Sequence, residues 1–199
     1  MPPKIVAKSI FRKVFIALIY VHSFAGHNIM KDISHITNNK KQRVTLLMGG
    51  NLGDVKNNFT NATGEISNSA DILKESALYK TQAWGMESAP DFLNIALEIE
   101  TSLSPELLLN ELLHIEKKMG RERVVAGYHD RVIDIDIIFY GDHIIDTEKL
   151  KVPHPKMTMR KFVLIPLAEI IPEEVHPVYG KTVRELLNDC NDTLEVEKL

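Results

Sequence analysis

The sequence predicts an α+β domain, a ferredoxin-like, antiparallel-rich sheet flanked by helices in a three-layer α/β/α sandwich. Three observations carry that expectation. From Arg43 onward the hydrophobic pattern runs in the order β-α-β-β-α-β. Residues 92–100 alternate cleanly, with Leu93, Ile95, Leu97 and Ile99 on one side and Phe92, Asn94, Ala96 and Glu98 on the other. The helical stretches are bracketed by recognisable caps.

The elements follow in order. Val44 to Met48 is the first strand, ending in the turn Gly49-Gly50-Asn51-Leu52-Gly53. Asp54 caps a helix running to about Ser67. Residues 72–79 read as the second strand, 80–91 as a loop and 92–100 as the third strand. Ser104-Pro105-Glu106 supplies a cap, a proline in the first turn and an acid near the positive helix end. That helix carries Leu108, Leu112, Ile115 and Met119 and stops at Gly120. A polar loop over 120–130 leads into a strand over 131–140. Beyond Val152-Pro153-His154-Pro155, 162–170 reads as a helix, and Thr182 with Glu185 forms a capping box that opens the last one.

Composition bounds the function. The apolar share of 44% and charged share of 26% fit a soluble globule. A net charge of -3 argues against sequence-independent nucleic-acid binding. The single Cys190 excludes an internal disulfide and suits a reducing compartment. Residues 1–42 read as an extension and 43–199 as the catalytic domain. Residues 1–31 hold five basic residues, no acid and a short apolar run from Val14 to Val21. That pattern fits a disordered targeting segment. The preferred reading is a start placed too far upstream, with translation beginning at Met30, because every interpretable feature lies after it.

The chemistry concentrates on the strand over 131–140. Asp134 and Asp136 are two apart, so they share a face, roughly 6–7 Å from each other. Two carboxylates there repel and lose hydration, and a divalent cation relieves both problems. On this strand alone, a metal site and a solvated strand face are both open. Arg121, Arg123 and Arg131 precede or open the strand, and His154, Arg160 and Lys161 follow. Guanidinium groups bind phosphate oxygens bidentately, and Mg²⁺ is held by one or two carboxylates plus phosphates. Together these residues favour a polyphosphate site. No Cys/His cluster has zinc spacing. The glycine-rich turn lacks the Lys-Ser/Thr of a phosphate loop and reads as a tight strand-to-helix connection. Phe92 and Asn94, with Thr81 and Trp84, suit a flat heterocycle, although a core Phe beside a loop-capping Asn is the simpler reading.

Gly50-Asn51-Leu52-Gly53, Tyr79-x-Thr81, Phe92-Leu93-Asn94, Ile115-Glu116, Gly120-Arg121-x-Arg123, Arg131-x-x-Asp134-Ile135-Asp136-Ile137, Val152-Pro153-His154 and Arg160-x-Phe162 occur in one order. From Arg43 onward the chain thereby resembles the 6-hydroxymethyl-7,8-dihydropterin pyrophosphokinases of folate biosynthesis. The resemblance implies transfer of the β,γ-diphosphate of ATP to the pterin hydroxymethyl group, releasing AMP. It implies two Mg²⁺ ions on Asp134 and Asp136, and a pterin between Phe92 and Phe162. Asn94 and Thr81 would meet the polar edge of the ring, with Ala83 and Trp84 adding contacts. Arg121, Arg131, Arg160 and His154 would bind phosphates. Glu116, Arg123 and Ile137 would border the nucleotide, as would Tyr128, Lys149 and Lys151. Asp136 is a candidate to accept the hydroxyl proton. The loop over 120–130 would close over ATP.

The expectation is a cytoplasmic monomer that acts on small molecules, binding neither nucleic acid nor membrane, with targeting by the basic segment left open. The chain departs from the family pattern at Gln82-Ala83, where a proline-containing stretch is usual. It departs again at Tyr128, Phe92, Lys149 and Lys151, where other members carry other residues. None of these removes a metal ligand or a core phosphate contact. A generic Mg²⁺-dependent phosphohydrolase and a catalytically silent binding module are the competing readings.

Overall fold

The computed structural model describes residues 37–84, 90–121 and 129–199, with side chains from residue 40 onward. The basic segment, Arg123 and Tyr128 therefore lie outside the described residues.

The first strand, β1 (Thr37–Gly50), pairs antiparallel with β4 (Phe92–Leu103) on one side and β5 (Asp134–Tyr140) on the other. On the outer edge of β4 sit β2 (Asp71–Glu75) and then β3 (Tyr79–Thr81), and β8 (Val196–Lys198) pairs with β3. The main path through this sheet is β5-β1-β4-β3-β8, and every pairing is antiparallel. The short hairpin of β6 (Ile145–Asp146) and β7 (Lys151–Val152) stands apart.

Three details differ from the sequence expectation. β1 begins at Thr37 rather than Val44, so seven further residues join the strand at its start, and its register shifts between Thr37 and Gln42. The single strand expected over 72–79 is two, because at Ser76 the ladder passes from backbone to side chain. The Ser76 amide donates to Ala96 O at 3.0 Å, and the Ala96 amide donates to Ser76 Oγ at 2.9 Å. The strand β8 was not expected, because three residues with half-exposed burial carry too little apolar pattern to read as a strand.

The two sheet faces bury different helices. Val44, Leu46, Met48, Leu97, Ile99, Ile135 and Ile137 pack against α1 (Val55–Ile66) and α2 (Pro105–Lys118). Leu47, Ala96 and Ile138 pack against α3 (Lys161–Ile170) and α4 (Val183–Asn188). The α/β/α layering is therefore as expected. A bulge in β5 opposite Thr45 and Leu46 puts Ile138 and Phe139 into the same core, breaking strict alternation there.

The caps are those the sequence predicts. Asp54 accepts from the Asn57 amide at 3.1 Å, Ser104 from Leu107 at 3.3 Å, and Thr182 and Glu185 close a reciprocal box. Gly120, with φ +89°, ends the α2 turn in a conformation glycine adopts cheaply. Even face residues of β5 point to the α3 side, so Asp134 and Asp136 stand on the face opposite the Ile135–Ile137 core.

Leu46 is fully buried at the centre of β1. Leu46→Ala is expected to destabilise the protein by about 2–5 kcal/mol in urea denaturation, through lost burial and a residual cavity.

Candidate active site

The site begins with a close approach of two backbones. A Cβ at Gly50 would lie 2.6 Å from Val132 O, so only glycine lets the β1–α1 turn reach the segment before β5. There the amides of Asn51 and Leu52 both donate to Arg131 O, at 2.9 and 3.2 Å. The buried Asn51 side chain completes the junction. Its Oδ1 accepts from the Arg131 amide at 2.8 Å, and its Nδ2 donates to Asp130 Oδ1 at 2.7 Å and, at the 3.5 Å limit, to Pro90 O. In the sequence Asn51 reads as part of a tight turn and of the Gly50-Asn51-Leu52-Gly53 motif, and the clamp itself is not predicted. An amide among glycines was the one available signal.

The clamp delivers Arg131 to Asp134, with Arg131 Nη1 2.6 Å from Asp134 Oδ2. Arg121, at the C-terminal side of α2, donates to the other oxygen of the same carboxylate. Arg121 also stands 2.5 Å from Glu116 Oε1. Glu116 is buried, and its Oε1 accepts from the Ile135 amide at 2.7 Å. One α2 carboxylate thus fixes both the arginine and the backbone between the two aspartates.

Asp136 behaves differently. Burial, and then the neighbouring Asp134 charge, push its carboxyl up to about 7. Among the described residues, no group of three or more His, Cys, Asp or Glu side chains is arranged to hold a metal ion. A cation here would take two protein carboxylates and fill its remaining positions from a ligand or water, which is the Mg²⁺ pattern. The raised Asp136 fits such an ion, since a divalent cation restores the ionised form. The arginines that now neutralise Asp134 also match phosphate oxygens. Arg131 Nε is buried with no hydrogen-bond partner among the described residues.

Two cavities meet at this cluster. A narrow slot is lined by Thr81, Trp84, Phe92, Asn94 and Phe162, with Gln82, Leu47 and Gly49 completing it. A wide cleft of ≈ 550 Å³ is lined by Glu116, Arg121, Ile137, Lys149, Lys151 and His154, with the apolar Leu109, Leu113 and Leu150. Arg131, Asp134 and Asp136 line both. Sheet register builds the slot floor: Asp134 pairs with Gly49, Gly49 with Asn94, and Asn94 with Tyr79. Gly49 leaves the floor open between the acid and the amide, since a Cβ there would meet Asn94 Oδ1 at 3.2 Å. Asn94 Nδ2 donates to Thr81 Oγ1 at 3.2 Å.

Most predicted residues therefore converge. Ala83 does not line the slot; its neighbours Gln82 and Trp84 do. Arg160 lies away from the cleft lining, its guanidinium 4.4 Å from the Trp84 ring centre and 5.5 Å from that of Phe162. Arg131 similarly covers Phe92 at 5.4 Å. The slot's aromatic faces are thus covered by guanidinium planes. His129 and Asp130 line the cleft without having been predicted.

Comparison with known proteins shows that residues 45–172 match the family model described as 7,8-dihydro-6-hydroxymethylpterin-pyrophosphokinase (HPPK). A 2-amino-4-hydroxy-6-hydroxymethyldihydropteridine pyrophosphokinase of Synechocystis sp. is 43% identical over 147 residues, covering 72% of this chain and 74% of that protein. One from Aquifex aeolicus is 42% identical over 143 residues, covering 71% and 88%. The Plasmodium falciparum HPPK-DHPS crystal structure with pterin and p-hydroxybenzoate shares the fold, with a TM-score of 0.62 at 18% identity. That likeness covers 76% of this chain and 44% of the Plasmodium chain. Family match and named relatives together define a pyrophosphokinase. The chain belongs to the 7,8-dihydro-6-hydroxymethylpterin-pyrophosphokinase family.

His154 gives the site a pH signature. Burial, and then the Arg160 charge, lower it from 6.5 to about 4. The unfolded chain therefore binds this proton first as pH falls, and His154 costs stability progressively from pH 6.5 down to about 4. Urea titrations across that window are expected to show a shallower acid loss for His154→Gln than for the unsubstituted protein.

Proposed function

We propose that the slot takes the pterin and the cleft takes ATP, so that the diphosphate moves between them at Arg131, Asp134 and Asp136. The activity is that of the family, pyrophosphoryl transfer to hydroxymethyldihydropterin in folate biosynthesis. One observation carries the assignment of the cavities: the same three residues line both. Substrates bound on either side of them would be held for reaction without a further encounter.

In this reading Phe92 and Phe162 stack on the pterin, while Asn94 and Thr81 meet its polar edge. Entry of the ring displaces the guanidinium planes of Arg131 and Arg160 from the aromatic faces. Those groups then turn to phosphate, for which their fork geometry is suited. Lys149, Lys151 and His154 line the nucleotide side, where cationic and N–H donors complement a triphosphate. Asp134 and Asp136 are the residues that would hold Mg²⁺, two ions by resemblance to the family. When bound, the ions neutralise phosphate charge and favour attack at the β-phosphorus.

The hydroxymethyl oxygen attacks that phosphorus, the bond to the α-phosphate oxygen breaks, AMP leaves and the hydroxyl proton is released. Arg121 and Arg131 stabilise the charge carried by the group in transit. Arg123 and Tyr128 complete the nucleotide side by resemblance. A cytoplasmic location belongs to the same proposal, supported by the single half-buried thiol of Cys190.

The deciding assay combines ATP, Mg²⁺ and 6-hydroxymethyl-7,8-dihydropterin. AMP is expected only when pterin is present; pterin-independent phosphate release or absence of turnover would overturn the reading. Asp136→Ala is expected to lower kcat by about a thousandfold or more with an unchanged circular-dichroism spectrum. Phe162→Ala is expected to raise the pterin KM by about tenfold, with the ATP KM changed far less.

A further inference from the structure

Residues 192–199 lie beyond the family match, which ends at 172, yet they bond to the two elements that carry the Thr81 and Phe162 walls of the slot. At one end, Asp192 Oδ2 accepts from the Lys161 amide at 2.9 Å, while Oδ1 accepts from Leu194 at 3.1 Å. Lys161 is the first residue of α3 and immediately precedes Phe162. Arg160, the residue at the N-cap position, makes no side-chain capping bond. Asp192 therefore satisfies the helix end from a distant part of the chain, where a carboxylate also complements the positive end of the helix.

At the other end, β8 pairs with β3 in the register Tyr79↔Lys198, Lys80↔Glu197 and Thr81↔Val196. The Leu199 amide donates to Leu78 O at 2.9 Å, and Lys80 Nζ is 2.6 Å from Glu197. β3 has three residues and would otherwise be an edge strand held only by β4. Glu169 of α3 joins the two ends. It accepts from Tyr79 Oη at 2.7 Å, from the Ala77 amide at 3.0 Å and from Lys198 Nζ at 3.0 Å.

We propose that residues 192–199 are a positioning strap of the pterin slot. The strap holds the Phe162 wall, through the start of α3, and the Thr81 wall, through β3, at the spacing a flat ring requires. None of its residues lines the slot or the cleft. It acts through Phe162 and Thr81 and leaves the nucleotide side alone. The proposal rests on the slot being the pterin site.

The test measures equilibrium binding of 6-hydroxymethyl-7,8-dihydropterin and, separately, of α,β-methylene-ATP to the full-length chain, with KM and kcat alongside. Asp192→Ala and Val196→Pro are expected to weaken pterin binding by about tenfold and to leave the nucleotide affinity within about twofold. Asp192→Asn, which keeps a side-chain oxygen for the Lys161 amide, is expected to restore most of the loss. A merely structural role would move both ligands together. Native-like pterin binding in a folded Asp192→Ala protein, or equal losses for both ligands, would overturn the strap. Should Val196→Pro fail to fold, Asp192→Ala decides alone. Phe92→Ala, which removes a slot wall directly, separates the two readings. If it leaves pterin binding intact, the slot assignment fails; if it weakens binding while Asp192→Ala does not, only the strap fails.

Discussion

The structure turns on how Asp134 is held. A carboxylate at the mouth of a buried strand is costly unless its charge is answered. Here two guanidinium groups answer it, one on each oxygen. Each arginine is itself secured, Arg121 by Glu116 and Arg131 by the backbone clamp of Asn51. Glu116 in turn accepts the Ile135 amide, so helix α2, the segment before β5 and the strand itself share one polar junction. The requirement at Gly50 follows, because a side chain there would push the Asn51 turn away from Val132.

The second carboxylate is left with a weaker answer. Asp136 sits two residues along the same face, and burial with the nearby Asp134 charge raises it to about 7. The arrangement is one-sided: Asp134 is paired with two arginines, whereas the Asp136 carboxyl stays raised, and in the proposed reading a ligand supplies its counter-charge. In that reading ligand binding and local electrostatics are linked, because a cation or a polyphosphate would redistribute the pairing of the same arginines. The net charge of -3 says nothing of this local balance, since the cations gathered at the cleft are offset by acids elsewhere on the surface.

Sheet order decides where that electrostatic centre faces. With β1 between β5 and β4, the row Asp134, Gly49, Asn94 and Tyr79 runs across the sheet, from the charged cluster to the strand carrying Thr81. Phe162, at the first turn of α3, closes the slot from the layer above. On the opposite side, the end of α2 and the residues around β7 build the cleft. Two chemically unlike cavities meet because one strand end serves both.

Much of this was legible in the chain. The alternation in β4, the caps of α1, α2 and α4 and the α+β order follow from local periodicity and capping, which are properties of neighbouring residues. Asp134 and Asp136 announced themselves as same-face acids in an apolar strand, and the ordered motifs pointed to the same slot and cleft residues. What the chain could not display was any contact between distant segments. Asn51 reaching Asp130, Glu116 accepting from Ile135, Arg160 lying over Trp84 and β8 bracing β3 have separations with no local pattern. The sequence by itself picked out most of the side chains that line the slot and the cleft, because residue type, short-range period and ordered motifs suffice for that. Only the tertiary structure decided how their charges are shared and which backbone holds them, because those depend on burial and on hydrogen bonds that exist only once the sheet has closed.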